Sequence, residues 1–189
     1  MNVSIPYITN FPLKYVFEDM KLIHKHDTLW LEFGVFKGRT INYISSFTND
    51  KVYGFDCFNG LPEKWIDGFE KGTYDLNGQL PRVKENVVLI KGLFQDTLTT
   101  FLNSMNKKVS FVHIDCDLYS STKHVLNNLL PFMDDTCIVV FDELVNYPGF
   151  KDGELKALNE FVLENQDTIK YEWIGMNRDG QTVAMHFVR

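Results

Sequence analysis

Short apolar runs recur along the chain, too brief for helices and too uniformly apolar for half-exposed strands. They are Thr28-Leu29-Trp30-Leu31-Glu32-Phe33, Lys51-Val52-Tyr53-Gly54-Phe55, Asn86-Val87-Val88-Leu89-Ile90, Val109-Ser110-Phe111-Val112-His113-Ile114 and Cys137-Ile138-Val139-Val140-Phe141. Rich in β-branched and aromatic residues, they read as strands buried on both faces, as in parallel sheets. Helical spacing fills the gaps: Gly38 to Ser46 with Ile41 and Ile44 on one face, Thr97 to about Asn103, Thr122 to Leu130, and Gly153 to Glu164. The alternation predicts an α/β fold, a Rossmann-like, doubly wound and mostly parallel seven-stranded sheet. Its last two strands, Lys170 to Ile174 and Thr182 to Val188, are linked by Asn177-Arg178-Asp179-Gly180. A turn this short cannot make a parallel crossover, so an antiparallel C-terminal hairpin is expected. Leu13 to His26 is expected to form one amphipathic helix, with His24 and His26 solvated beside Lys21 and Lys25.

One segment breaks the rhythm. From Cys57 to Lys84, Gly60, Pro62, Gly68, Gly72, Gly78 and Pro81 interrupt any long periodicity, while Trp65, Phe69 and Tyr74 supply apolar bulk. A long loop inside a compact domain is usually functional. Residues 57–84 therefore read as a lid with an apolar inner face, inserted in a single domain spanning 1–189.

Composition narrows the partners. With 19 basic and 25 acidic residues among 189, the net charge is −6. Nucleic acid and anionic lipid reward clustered Lys and Arg, so neither is an expected partner. The cysteines, Cys57, Cys116 and Cys137, are odd in number and lack C-x-x-C spacing, so they read as small hydrophobes rather than a disulfide or zinc framework. No leader pattern or membrane-length apolar run is visible, and a soluble cytoplasmic protein is expected, with self-association left open.

The candidate chemistry sits where strands end. His113-Ile114-Asp115-Cys116-Asp117-Leu118-Tyr119 closes one apolar run, and Phe141-Asp142-Glu143 closes its neighbour. Their carboxyl ends should open on one sheet edge, where open α/β folds bind ligands. Carboxylates gathered there resist ionisation unless a cation lies between them, and hard oxygen ligands suit Mg²⁺. Asp115, Asp142 and Glu143 are the expected metal ligands. Asp117 reads either as a base or as a cap for the next helix, and His113 as a hydrogen-bonded core histidine. In Glu32-Phe33-Gly34-Val35-Phe36-Lys37-Gly38-Arg39-Thr40, Gly34 permits a sharp turn and Gly38 close helix packing. Asp56 stands at the distance where an acidic side chain holds ribose hydroxyls. A nicotinamide dinucleotide would use the same architecture, but Phe36 stands where a pyrophosphate needs glycine. S-adenosylmethionine has no pyrophosphate and fits better.

The phrases EFGVFKGRT, VYGFDCFNGLPE, KGLFQDTL, HIDCDLYSSTKHVL and IVVFDELVNYPG together resemble the class I S-adenosylmethionine-dependent O-methyltransferases, above all the macrocin O-methyltransferase group. The resemblance runs from Glu32 to about Gly149. It implies Mg²⁺-dependent methyl transfer to a hydroxyl of a small molecule, a sugar or natural-product intermediate. It also implies that Glu32, Gly34, Gly38 and Thr40 surround the donor's methionine part, with Thr40 at the carboxylate, and that Phe94 and Gln95 meet its adenine. Asp115, Asp142 and Glu143 take the family's metal positions, while Asp117 matches a general base and Asp115 shares the catalytic centre. Two other readings stay open: a non-catalytic S-adenosylmethionine-binding protein and a dinucleotide-dependent oxidoreductase.

Overall fold

The computed structural model describes residues 4–178 and 180–188. Seven strands form one sheet in the order β3-β2-β1-β4-β5-β7-β6. β1 (Thr28–Phe33), β2 (Val52–Asp56), β3 (Val87–Lys91), β4 (Lys108–Ile114) and β5 (Met133–Phe141) run parallel. β7 (Val183–Val188) lies antiparallel between β5 and β6 (Lys170–Met176). This is the seven-stranded, mostly parallel sheet that the apolar runs predict, with the reversal confined to the C-terminal pair. Asp179, in the predicted turn, lies outside the described residues.

Strand alternation divides the core in two. Leu29, Leu31 and Phe33 join one apolar layer, which contains Leu98 and Leu102 of α3 (Phe94–Met105), Val125, Leu126 and Leu129 of α4 (Tyr119–Leu129), and Leu158 and Phe161 of α5 (Glu154–Glu164). Trp30, between them in sequence, faces the other layer with Phe111, Ile41 and Ile44 of α2 (Arg39–Ile44), and Val16 and Phe17. Each such fully buried aliphatic or aromatic side chain stabilises the fold by roughly 1.5–3 kcal/mol. Uniformly apolar runs were therefore the right signal for central strands.

The N-terminal segment departs from expectation. In place of one helix over 13–26, a turn of α1 (Pro12–Lys14) passes into a π-helical turn at Tyr15–Asp19 and ends. Lys21 takes a left-handed φ of 55°, and the Leu22 amide closes back on the Val16 carbonyl at 3.0 Å. The chain then turns so that His24 stacks on Trp30 with centroids 4.5 Å apart, its Nδ1 2.9 Å from Thr48 Oγ1. His24 is thus packed rather than solvated, while His26 is exposed. Tertiary packing of Phe17 and His24 around Trp30 outweighs the local helical pattern.

The segment 57–84 has no helix or strand, yet it is folded. Phe58 is buried, its carbonyl accepts the Leu76 and Gly78 amides, and Leu61 exchanges backbone hydrogen bonds with Gly72 and Thr73. Gly60, at φ 73°, is needed because a Cβ there would lie 2.5 Å from the Gly72 carbonyl oxygen.

Candidate active site

The sheet order reverses beside β1, whose neighbours are β2 and β4. Hydrogen bonds continue the ladders one step past the strands: Gly34 N–H donates to Phe55, Asp115 N–H to Phe33, and Asp142 N–H to Ile114. Three post-strand residues are thereby fixed on one edge. Gly34, at φ 90°, lies so close to the end of β4 that a Cβ would collide with the Asp115 carbonyl. The first loop and the carboxylate-bearing loop can meet only because residue 34 has no side chain.

A cavity of about 300 Å³ opens there. Gly34, Phe36 and Asp56 line one side, Phe94 and Gln95 another, and Asp115, Asp117, Asp142 and Glu143 a third. Glu32, Gly38 and Thr40 do not line it. Glu32 is fully buried beneath the site, where its Oε1 lies 2.9 Å from His113 Nδ1, opposite it in the β1–β4 register. Gly38, at φ 75°, precedes α2 and faces Val83, at the returning end of the 57–84 segment. Thr40 is half-buried in the first turn of α2.

Asp56 organises the first loop. Its Oδ2 accepts the amides of Val35 (2.9 Å) and Phe36 (2.8 Å), and its Oδ1 accepts the Phe58 amide at 2.7 Å. This bonding lets Phe36 and Phe58 hold left-handed φ values of 45° and 58°. A carboxylate offers about four acceptor sites, so capacity remains for a ribose hydroxyl.

The carboxylates on the third side are differently placed. One oxygen each of Asp115, Asp117 and Glu143 come within 4.8 Å of one another. Among the described residues Asp115 and Asp117 accept no hydrogen bond, and Glu143 Oε2 is buried without a partner. Burial, then the Asp142 charge, pushes Asp117 up to about 7. Burial with Asp142 and Asp115 pushes Glu143 up to about 12, and burial lifts Asp115 well above the carboxylate range. Asp142 differs. Burial opposes its charge, but His113, whose Nε2 is 3.8 Å from Asp142 Oδ1, holds it below its ordinary value. Thr182 Oγ1 donates to the same oxygen at 3.3 Å. The oxygen cluster is therefore Asp115, Asp117 and Glu143, with Asp142 beside it. Hard oxygens with one buried orphan suit a hard divalent cation.

Asp117 sits at φ 60°, where the Leu118 amide reaches back to Cys116 O at 2.5 Å. Leu118, not Asp117, is the N-cap of α4, so the capping alternative for Asp117 is removed. His113 is the buried, hydrogen-bonded core histidine that its strand position implies. Cys116 and Cys137 are free and buried, and Cys57 is free, half-buried and on the cavity wall.

Sequence reasoning missed Glu154. It begins α5 fully buried, both carboxylate oxygens lacking a well-formed hydrogen bond among the described residues, and burial, then Asp117 and Asp115, lifts its pKa well above normal. An acidic residue in a first helical turn ordinarily complements the helix dipole in solvent, so no local signal marked it. Tyr74, read as part of the lid's apolar inner face, lines the cavity with Pro62 of the same segment, and Ser121 joins them unforeseen. The 57–84 segment reaches over this region through aromatic contacts: Phe36–Tyr74 at 5.2 Å, Phe69–Tyr74 at 6.0 Å, Trp65–Phe69 at 5.1 Å and Trp65–Tyr147 at 5.4 Å. Tyr147, after the second carboxylate pair, thus packs against the 57–84 segment behind the cavity lining.

Comparison with known proteins agrees with this geometry. No curated protein sequence matches the chain at a significant level. Among solved structures, the calicheamicin methyltransferase CalS11 superposes with a TM-score of 0.64 at 22% identity, over 86% of this chain and 72% of that one. The O-methyltransferase NovP gives 0.61 at 23%, over 86% and 72%. MycE from the mycinamycin pathway, solved in complex with Mg and SAH, gives 0.56 at 17%, over 94% of this chain and 48% of that one. These likenesses establish the fold. No helix among the described residues is long and apolar enough to cross a membrane. The methyltransferase-domain model matches residues 31–144, the span holding the first loop, Asp56 and every clustered carboxylate. The chain belongs to the methyltransferase-domain family, class I proteins that use S-adenosylmethionine as methyl donor.

Proposed function

We propose that this protein transfers the methyl group of S-adenosylmethionine to a hydroxyl oxygen of a small molecule, assisted by Mg²⁺. The observation that carries the reading is the unsatisfied carboxylate cluster against the first loop. Donor binding alone would not need Asp115, Asp117 and Glu143 gathered without hydrogen-bond donors. Asp56 and Phe36 would hold the ribose and methionine side of the donor, and Phe94 with Gln95 its adenine. Asp115 and Glu143 would hold the cation, with Asp117, within 4.8 Å of both, left as the proton acceptor and Asp142 alongside in its ion pair with His113. When bound, Mg²⁺ supplies a Lewis acid that lowers the acceptor hydroxyl's pKa and fixes its oxygen.

The transfer forms an oxygen–carbon bond as the sulfur–carbon bond breaks, so the acceptor oxygen must lie in line with the methyl group. Asp117, held near neutrality by burial, is suited to receive the hydroxyl proton. The 57–84 segment, packed through Trp65 and Tyr74 against the site, would act as the lid that excludes water. The Mg bound in the MycE structure and the O-methyltransferase NovP support the same chemistry here by analogy. A sugar or natural-product intermediate is the acceptor class we favour.

The test pairs binding with turnover. Calorimetry should show S-adenosylhomocysteine binding and no NAD binding. Transfer of labelled methyl to a panel of hydroxyl acceptors should stop in excess chelator and return with Mg²⁺. Binding without transfer to any acceptor would favour a donor-binding protein, and full activity in chelator would remove the metal role.

A further inference from the structure

We infer that the cavity continues into an anion-binding chamber framed by Lys71 and Lys91, which takes a phosphate-bearing ligand. A second cavity of about 560 Å³ adjoins the first and shares with it Cys57, Gly60, Leu61, Pro62, Gly92 and Leu93. The two differ in charge. Asp56, Asp115, Asp117, Asp142 and Glu143 line the first, whereas among the described residues Lys71 and Lys91 are the only charged ones lining the second. In a chain of net charge −6, a chamber bordered by cations with no carboxylate is a local inversion.

Those cations are not neutralised. Lys71 makes no hydrogen bond or ion pair among the described residues, although the nearby Lys64 pairs with Asp67 and Glu70. Lys91 reaches the Gly78 carbonyl at 2.5 Å, a neutral acceptor that leaves its charge uncompensated. Lys91 ends β3 on the sheet edge, while Lys71 belongs to the 57–84 segment. An anion shared by the two would therefore tie that segment to the sheet beside the carboxylate cavity. Two exposed ammonium groups bordering an open cavity, with Pro62 and Leu93 on its wall, suit a phosphate or diphosphate better than a single carboxylate.

The phosphate could belong to an acceptor whose hydroxyl lies at the carboxylate end. It could instead belong to an adenine nucleotide occupying the donor's place. Only the acceptor assignment rests on the methyl-transfer reading; the anion site does not.

The experiment is calorimetric titration of the full chain with inorganic pyrophosphate, free of divalent cations, with and without saturating S-adenosylhomocysteine. Wild type should bind pyrophosphate. Lys71→Ala should weaken that binding about tenfold, and Lys71→Glu with Lys91→Glu should abolish it. Lys71 is exposed and makes no hydrogen bond or ion pair among the described residues, so its variant should melt like wild type and bind S-adenosylhomocysteine equally. Undiminished binding with S-adenosylhomocysteine present supports an acceptor phosphate; displacement supports the same site serving a nucleotide. No binding to wild type at millimolar pyrophosphate, or equal binding to the double variant, overturns the proposal. Loss of S-adenosylhomocysteine binding by wild type would instead count against the methyltransferase reading.

Discussion

Two acidic groups on the same sheet edge behave in opposite ways. Asp56, at the end of β2, is bonded by three backbone amides, and its carboxylate shapes the loops that follow β1 and β2. Asp115 and Asp117, past the end of β4, accept no hydrogen bond among the described residues, and with Glu143 they form a partly buried oxygen cluster. Residue type and position are nearly the same; satisfaction differs. A carboxylate whose acceptor capacity is met by amides is part of the scaffold first. One left unmet in a buried place raises its pKa or recruits a cation.

The largest effect should come from the unsatisfied side. Asp117→Asn keeps shape and removes the proton acceptor, so turnover at saturating donor and Mg²⁺ should fall about 10²–10⁴-fold. Steady-state rates would show it, and an unchanged rate would move Asp117 out of the mechanism. Beneath both groups, His113→Ala leaves Glu32 buried without its partner, which should cost roughly 3–5 kcal/mol of stability in denaturant melts.

A pH series sharpens the contrast. Asp117's folded pKa of about 7 lies above its unfolded value, so the folded state binds more protons between them. Stability should therefore fall as pH rises from about 4 to 7, by at most about 4 kcal/mol from this group. Saturating Mg²⁺ should flatten that slope, because the cation compensates the ionised cluster. A stability that rises over this interval in metal-free protein would contradict the burial argument. The smallest effect belongs to Asp56→Ala, which should weaken S-adenosylhomocysteine binding by about 1–3 kcal/mol through lost ribose contact and a loosened first loop.

The contrast also marks what the sequence can express. Strand runs, helix spacing and strand-end carboxylates are local patterns, so the sheet, the edge and Asp115, Asp117, Asp142 and Glu143 were legible. Whether a carboxylate is satisfied is not local. The amides of Val35 and Phe36 that engage Asp56 come from 21 and 20 residues away. Glu32 was assigned toward the donor by resemblance, but its partner His113 lies 81 residues on, across the β1–β4 register. Glu154 reads as a surface residue of an amphipathic helix until the packing of α5 buries it. The N-terminal helix failed for a related reason, since the stacking of His24 on Trp30 requires the chain to turn at Lys21.

The central claim, that unsatisfied carboxylates hold the cation while the satisfied one supports the donor loop, is tested most directly by Mg²⁺ calorimetry on three proteins. Asp115→Asn should lower Mg²⁺ affinity at least about tenfold relative to wild type, whereas Asp56→Asn should leave it unchanged. Equal Mg²⁺ affinity in wild type and Asp115→Asn, or a loss confined to Asp56→Asn, would contradict it.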